Sequence, residues 1–298
     1  RAGVDAPGAG GGGRARIVAD GSRRTLLIDG LEASVVDLAD PLELELPYMR
    51  WIAGVLVTAS FPTSQLRYGI RQVTAPLVGH VTASLPTSQL RYGIQHVTAP
   101  LVGHVTHALD VLHLGGGACT LPRWLSAARV GSRSQVFEID AEVVAIARRE
   151  LGLDRVPGLH VSVTDARAGV ASLPPRSFDA AVADVFVGPR VPDHVCTVEA
   201  LADVRRVLRP GGAYVANLID EAPLRRARRQ VATIADVFGP VTLIAERATL
   251  TGRRAGNLVA AAGRTFGRGP IGRAANGADV LEGDAVALWC GDARPLRD

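Results

Sequence analysis

The chain has 298 residues, 47% of them hydrophobic, enough to bury a full core in one large domain or in one large and one small domain. Its 33 Lys and Arg against 29 Asp and Glu leave a formal charge of +4, carried by dispersed arginines without the dense basic block or aromatic stripe expected of a nucleic-acid binder. Three widely spaced cysteines, Cys119, Cys196 and Cys290, give neither a disulfide framework nor metal-ligand spacing and fit a reducing cytoplasm. No apolar run of about 18 residues suggests a membrane span, and no apolar segment near the first residues suggests a signal peptide.

Residues 1–14, RAGVDAPGAGGGGR, are expected to form a flexible leader, because glycine loses much entropy on ordering and buries little. Over 15–45, short apolar runs separated by Asp-Gly pairs predict a small antiparallel β region with hairpin turns. Leu46, Met49, Trp51, Ile52 and Val55 follow at nearly helical spacing, with Pro47 suited to a first turn, and predict a linking helix over 46–57. A duplicated 24-residue segment occupies 58–105, its two copies differing at three positions. Two copies are too few for a solenoid, so one copy reads as an insertion beside the core, with a recent duplication or a sequencing artefact as open alternatives. His80 and His104 occupy equivalent repeat positions, but no carboxylate or thiolate recurs beside them, and no metal is expected.

From 106 to 263 apolar strands alternate with helical segments. Strands are expected near 110–115, 134–140, 159–165, 178–184, 213–219, 241–246 and 257–262, and helices near 121–130, 141–151, 196–207 and 222–236. That alternation predicts an α/β domain whose parallel sheet is covered on both faces. A C-terminal extension, 264–298, mixes glycine and proline with charges and is not placed by its pattern.

Candidate chemistry gathers at the strand ends. VLHLGGGACTLPRWL runs from an apolar strand into Gly115, Gly116 and Gly117 and then into a helix from about Thr120. Such glycines permit a sharp turn and close backbone approach, and the helix start offers free N–H groups, which suits a nucleotide or nucleoside; a tight turn alone would also need glycine. Glu138, in VFEID, ends the next strand 23 residues after Gly115, where a carboxylate can accept from both ribose hydroxyls. Asp140 reads as the cap of the following helix. Asp165 ends the third strand and reads either as a partner for an adenine amino group or as a cap.

Asp184 ends the fourth strand, facing the reacting end of a ligand whose adenosine lies over the first three. There it can deprotonate or orient an incoming amine, or stabilise a sulfonium. Asp179 reads as a turn residue. Tyr48, on the first helix, is a candidate substrate-binding residue, with an interfacial role as the alternative. His113 is expected to be packed and hydrogen-bonded, and Cys119 has no histidine partner to make it a nucleophile. Thr120 stands where a nicotinamide dinucleotide fold wants glycine, so a smaller nucleoside is expected.

In order and spacing these residues resemble the class I S-adenosylmethionine-dependent methyltransferases, and within them the polyamine aminopropyltransferases, the spermidine synthase family. The similarity covers roughly residues 22–262, interrupted by the duplicated segment. LLIDG and LPYM are similar to the family's N-terminal β region and the tyrosine-bearing approach to its catalytic domain. VLHLGGGA resembles its glycine loop, VFEID its ribose-binding strand end, TDAR its adenine-side acid and FDAAVADVF the strand before its catalytic aspartate. VLRPGGAYVANL is similar to a segment shared across the superfamily.

The resemblance implies a Rossmann-like methyltransferase fold with a small N-terminal β region, a dimer or tetramer, and decarboxylated S-adenosylmethionine and putrescine as ligands. Gly115, Gly116 and Gly117 would line the cofactor, Glu138 hold its ribose and Asp165 its adenine. Asp184 would activate a small amine for attack on the aminopropyl carbon, leaving methylthioadenosine.

Two departures concern the acceptor side. Ala118 stands where the family has an acid for the terminal ammonium, and Asp184 is followed by VFVGPR rather than by a second acid, with Arg190 adding positive charge. Methyl transfer from S-adenosylmethionine to an unknown small acceptor, and a non-catalytic adenosine-binding or interaction protein, are the alternative readings.

Overall fold

The computed structural model describes residues 15–58, 107–186, 190–266 and 277–298, together with Ile271 and Ala275. The leader expected over 1–14 and the duplicated segment beyond Thr58, with His80 and His104, lie outside the described residues.

Strands β1 (Ala15–Asp20), β2 (Arg23–Ile28) and β3 (Leu31–Asp37) form an antiparallel sheet in that order. Asp29 and Gly30 both have positive φ, 51° and 80°, which is the backbone of the two-residue turn that an Asp-Gly pair favours. The inner face of this sheet buries Ala15, Leu26 and Val36 against Val143, Ile146 and Ala147 of helix α3 (Ala141–Leu151). Helix α1 (Pro47–Thr58) follows and lies on the large sheet.

The remaining strands are β4 (Asp110–Leu114), β5 (Arg133–Glu138), β6 (Leu159–Val163), β7 (Phe178–Ala183), β8 (Leu208–Asp220), β9 (Thr242–Ala245), β10 (Gly256–Ala262) and β11 (Asp279–Glu282). They form one sheet in the order β11-β9-β10-β8-β7-β4-β5-β6. Strands β4 to β8 pair in parallel. The sheet departs from the wholly parallel one expected: β10 pairs antiparallel with both β8 and β9, and β11 antiparallel with β9. Residues 246–255, which join β9 to β10, hold only the four-residue helix α7 (Arg247–Leu250), whereas a parallel return needs a crossover of about a dozen residues or more.

Helices α4 (Ala166–Ser172), α5 (Val198–Val207), α6 (Arg225–Phe238) and α8 (Asp284–Cys290) cover one face, where Leu112, Leu114, Tyr214, Ala216 and Leu218 point. Helices α1 and α2 (Thr120–Ala128) cover the other, over Val111, Val182, Val215 and Val259. Alternate residues of β8 thus serve opposite faces, the period-two signature of a strand buried on both sides. Short helix α4 interrupts a stretch for which no helix was expected, and the tail supplies the edge strand β11 and helix α8.

The chain steps outward from β4 through β5 to β6, then returns to the other side of β4 with β7 and β8. The reversal between β4 and β7 opens a crevice at the carboxyl ends of the strands, the place where ligands sit in open α/β sheets.

Candidate functional site at the switch of the sheet

Gly115 leaves β4 with φ 85°, and a Cβ there would lie 2.2 Å from the carbonyl oxygen of Asp184. Only glycine permits both the left-handed backbone and this approach between the two central strand ends. The Asp184 amide in turn donates to the carbonyl of Leu114 at 2.9 Å, so the glycine loop and Asp184 are placed by one another.

The Glu138 carboxylate closes on the same loop. Oε2 accepts from the amides of Gly116, at 2.8 Å, and Gly117, at 3.0 Å, while Oε1 accepts from the amide of Asp140 at 3.0 Å. A carboxylate has about four acceptor positions, so these three bonds leave room on Oε1 for a further donor. Ile139, between the two acids in sequence, is a large apolar side chain left 62% exposed. Asp140 caps α3, accepting from the amides of Glu142 and Val143, as its position before the helix predicted.

Asp165 caps α4 by accepting from the Ala168 amide at 3.0 Å, and its other oxygen accepts from His194 Nε2 at 2.9 Å. Burial works against its ionisation, but the bonds from His194 and Ala168 outweigh it and hold the carboxyl below its ordinary value.

Asp184 is held from two sides. Asn217 Nδ2 donates to Oδ1 at 2.8 Å and the Tyr48 hydroxyl donates to Oδ2 at 3.3 Å. Behind it, Asn257 Nδ2 donates to Asn217 Oδ1 at 3.0 Å, so a relay runs from β10 through β8 to the carboxylate. Burial raises the proton affinity of Asp184 beyond what these two bonds lower it. Burial, then the charge of Asp184, pushes the Tyr48 phenol well up, so Tyr48 stays protonated as a donor.

The structure therefore sets Gly115, Gly116, Gly117, Glu138, Asp165 and Asp184 at the carboxyl ends of β4 to β7, with Tyr48 of α1 bonded to Asp184. Three other side chains are placed elsewhere. Cys119 is buried beneath the loop and its thiol is pushed up to about 12 by burial, which leaves it no nucleophile at neutral pH. His113 is buried in β4 beside Ser134 Oγ at 3.3 Å, and burial pushes it down to about 3. Ala118 is fully buried with Leu26 and Val36, so an acid is absent from this position and its side chain packs into an apolar cluster.

Asn217, Asn257, His194 and Ile139 were not singled out from the sequence. The signal for Asn217 was present: it is the polar residue in the otherwise apolar run AYVANLI. Among the described residues no group of three His, Cys, Asp or Glu side chains gathers to hold a metal ion, and no helix is long and apolar enough to cross a membrane.

Comparison with known proteins bears on what this arrangement belongs to. Residues 112–216 match a methyltransferase domain model. A polyamine aminopropyltransferase from Vibrio vulnificus is 30% identical over 131 residues, which is 43% of this chain and 42% of that protein. A probable spermidine synthase from Corynebacterium glutamicum superposes with a TM-score of 0.75 at 28% identity, over 95% of this chain and 92% of that one.

The chain has the fold of the class I methyltransferases and is similar to spermidine synthases. The spermidine synthase of Thermotoga maritima shares the fold, with a TM-score of 0.52 at 15% identity over 87% of this chain and 75% of that one. The chain thus spans less than half the length of the curated relative it matches, and almost all of the Corynebacterium structure.

Proposed function

We propose that this chain binds an S-adenosylmethionine-related nucleoside over the ends of β4, β5 and β6 and transfers its aminopropyl group to a small amine. One observation carries the reading: Asp184, its proton affinity raised, is fixed by Tyr48 and Asn217 at the switch of the sheet, touching the glycine loop. The likeness to a probable spermidine synthase over nearly the whole chain supports it.

The residues present suit adenosine. Glu138 keeps an acceptor position for a ribose hydroxyl, Ile139 offers an apolar face for the base, and Asp165 lies where an adenine amino group would arrive. Decarboxylated S-adenosylmethionine, when bound, supplies a carbon made electrophilic by the adjacent sulfonium. The chain's own part is to prepare the amine. Asp184 accepts a proton from the amine nitrogen as the new N–C bond forms and the C–S bond breaks, with the electron pair leaving on sulfur. Tyr48 and Asn217, each donating to one carboxylate oxygen, hold Asp184 in the orientation that receives that proton, and the negative carboxylate offsets the positive charge on the attacking nitrogen.

A second reading rests on Ala118. With Ala118 after the glycines there is no acid at that position to meet a terminal ammonium, and methyl transfer from S-adenosylmethionine is the alternative. Calorimetric titration with S-adenosylmethionine, its decarboxylated form and methylthioadenosine, followed by a transfer assay with putrescine, decides between them. Tighter binding of the decarboxylated ligand with formation of spermidine supports aminopropyl transfer. Tighter binding of the carboxylated ligand moves the chain to methyl transfer, and binding without turnover leaves an adenosine-binding protein.

A further inference from the structure

Asn257 shares a face of the sheet with Asn217 because of the antiparallel return of β10. Asn217 stands opposite Val259 in the β8–β10 ladder, and Asn257 lies two residues before Val259, on the same side of the pleat. That diagonal is within reach of an amide side chain, and Asn257 Nδ2 donates to Asn217 Oδ1 at 3.0 Å. Asn217 and Asp184 each come one residue after the paired Ala216 and Ala183 of β8 and β7, which sets Asn217 Nδ2 2.8 Å from Asp184 Oδ1. Asn217 is only 2% exposed, so neither end of its amide turns to water.

An amide has a donor end and an acceptor end, whereas an ionised carboxylate only accepts. With Asn257 donating to its oxygen, Asn217 gives its NH2 group to Asp184. Turning that amide over would set NH2 against NH2 at Asn257 and oxygen against oxygen at Asp184. The turned amide suits only a protonated Asp184, whose hydroxyl needs an acceptor. Around the carboxylate the titratable partner is Tyr48 from α1, itself a donor. Leu114 and Gly115 from β4 and its loop, Asn217 from β8 and Asn257 from β10 carry no charge. Burial favours the protonated acid, against the two donors.

We propose that Asn257 is a positioning residue: by occupying the oxygen of Asn217 it fixes the donor end of that amide on Asp184 and denies the protonated acid an acceptor there. Its bearing on transfer rests on the reading of Asp184 as the base given above. Among the described residues Asn257 makes no hydrogen bond to Asp184, and it acts through Asn217. Without it Asn217 is free to turn, the neutral acid gains a partner, and Asp184 holds its proton to higher pH.

The test is the ionisation of Asp184, followed by carbon NMR in protein labelled at its aspartate carboxyls, with Asp184→Asn to assign the signal. It is read for the wild type, Asn257→Leu, Asn257→Ala, Asn217→Leu and the double variant carrying Asn217→Leu with Asn257→Leu. In Asn257→Leu the midpoint should rise by about half a pH unit to one pH unit, the size of one net hydrogen bond. Asn257→Ala should do the same, which covers a leucine that does not fit. Asn217→Leu should also raise the midpoint, and adding Asn257→Leu to it should change nothing further, because the effect passes through Asn217. The acid limb of kcat/KM for transfer to putrescine should move with the midpoint. An unmoved midpoint in both Asn257 variants, or a rise of the same size with Asn217 already removed, overturns the proposal. The NMR signal needs no turnover, so midpoints that move as expected in a chain without transfer activity support the role of Asn257 and overturn the reading of Asp184 as the base.

Discussion

Tyr48 and Asp184 stand 136 positions apart in the chain, yet the Tyr48 hydroxyl donates to Asp184 Oδ2 at 3.3 Å. The contact joins the first helix to the end of the strand at the switch of the sheet. It means that the docking of α1 helps set the state of the candidate base.

Tyr48→Phe should raise the proton affinity of Asp184 further, because the Tyr48 bond is one of the two influences that lower it against burial. A base is active when deprotonated, so the acidic limb of the pH–rate profile should move to higher pH. The profile of kcat/KM for the transfer reaction reads this, and a limb that stays in place removes Tyr48 from the control of Asp184.

Asp184→Asn keeps the shape of the side chain and removes the base. Turnover should fall by about 100-fold or more, while methylthioadenosine affinity stays within about twofold of wild type. Single-turnover kinetics beside calorimetry separate the two, and a parallel loss of both would make Asp184 a binding group instead.

Glu138→Ala removes the acceptor of three backbone amides and, on the reading above, of a ribose hydroxyl. Nucleoside affinity should drop by roughly 1 to 3 kcal/mol. Unchanged affinity for methylthioadenosine would confine Glu138 to holding the glycine loop.

Thr120→Val tests how the small sheet is fastened. Thr120 Oγ1 donates to the carbonyl of Val35 at 2.9 Å and lies 3.0 Å from Ser34 Oγ, all of it buried. Replacing the hydroxyl with a methyl leaves the Val35 carbonyl unsatisfied and should destabilise the fold by about 1 to 3 kcal/mol. Chemical denaturation gives the number directly, and an unchanged midpoint would show that the sheet is held by its apolar face alone.

Asp110 ties Arg133 and Arg209 at the other end of the strands, with bonds of 2.6 to 2.9 Å. Burial opposes its ionisation, but the two guanidinium partners hold its carboxyl below the ordinary value. The folded-state value is depressed, so its contribution is present above the unfolded carboxylate range and is lost as pH falls through the folded one. Asp110→Asn should therefore destabilise the protein at neutral pH, with the difference from wild type shrinking below about pH 4. Melting curves taken across that range check the sign, and a deficit that persists in acid would point to packing in place of charge.

Much of this site could be read from the residues because strand ends leave local marks. Glycine at 115 announces a turn, Asp140 stands at a cap position before a helical pattern, and the acids at 138, 165 and 184 each close an apolar run. The antiparallel return of β10 left no such mark, since a strand buried on both faces has the same pattern whichever way it runs. Its direction follows from the short link before it. Asn257 and His194 were hidden for a related reason: a polar residue in a strand or a three-residue turn acquires meaning only from the side chain it meets, and Asn217 and Asp165 are remote in sequence. Ala118 stands where the resemblance implies an acid, and its packing against Leu26 and Val36, in the seam between the small sheet and α3, could not be read from the sequence.

The antiparallel return that sets β10 beside β8 divides the crevice into two inheritances. The groups proposed to meet the nucleoside, Gly115 to Asp165, come from one continuous stretch of chain, whereas the side chains steadying Asp184 come from α1, β8 and β10. The duplicated segment falls in sequence between Tyr48 and Gly115. Substitutions at positions 48, 217 and 257 can thus change how Asp184 is held while the stretch from Gly115 to Asp165 stays as it is.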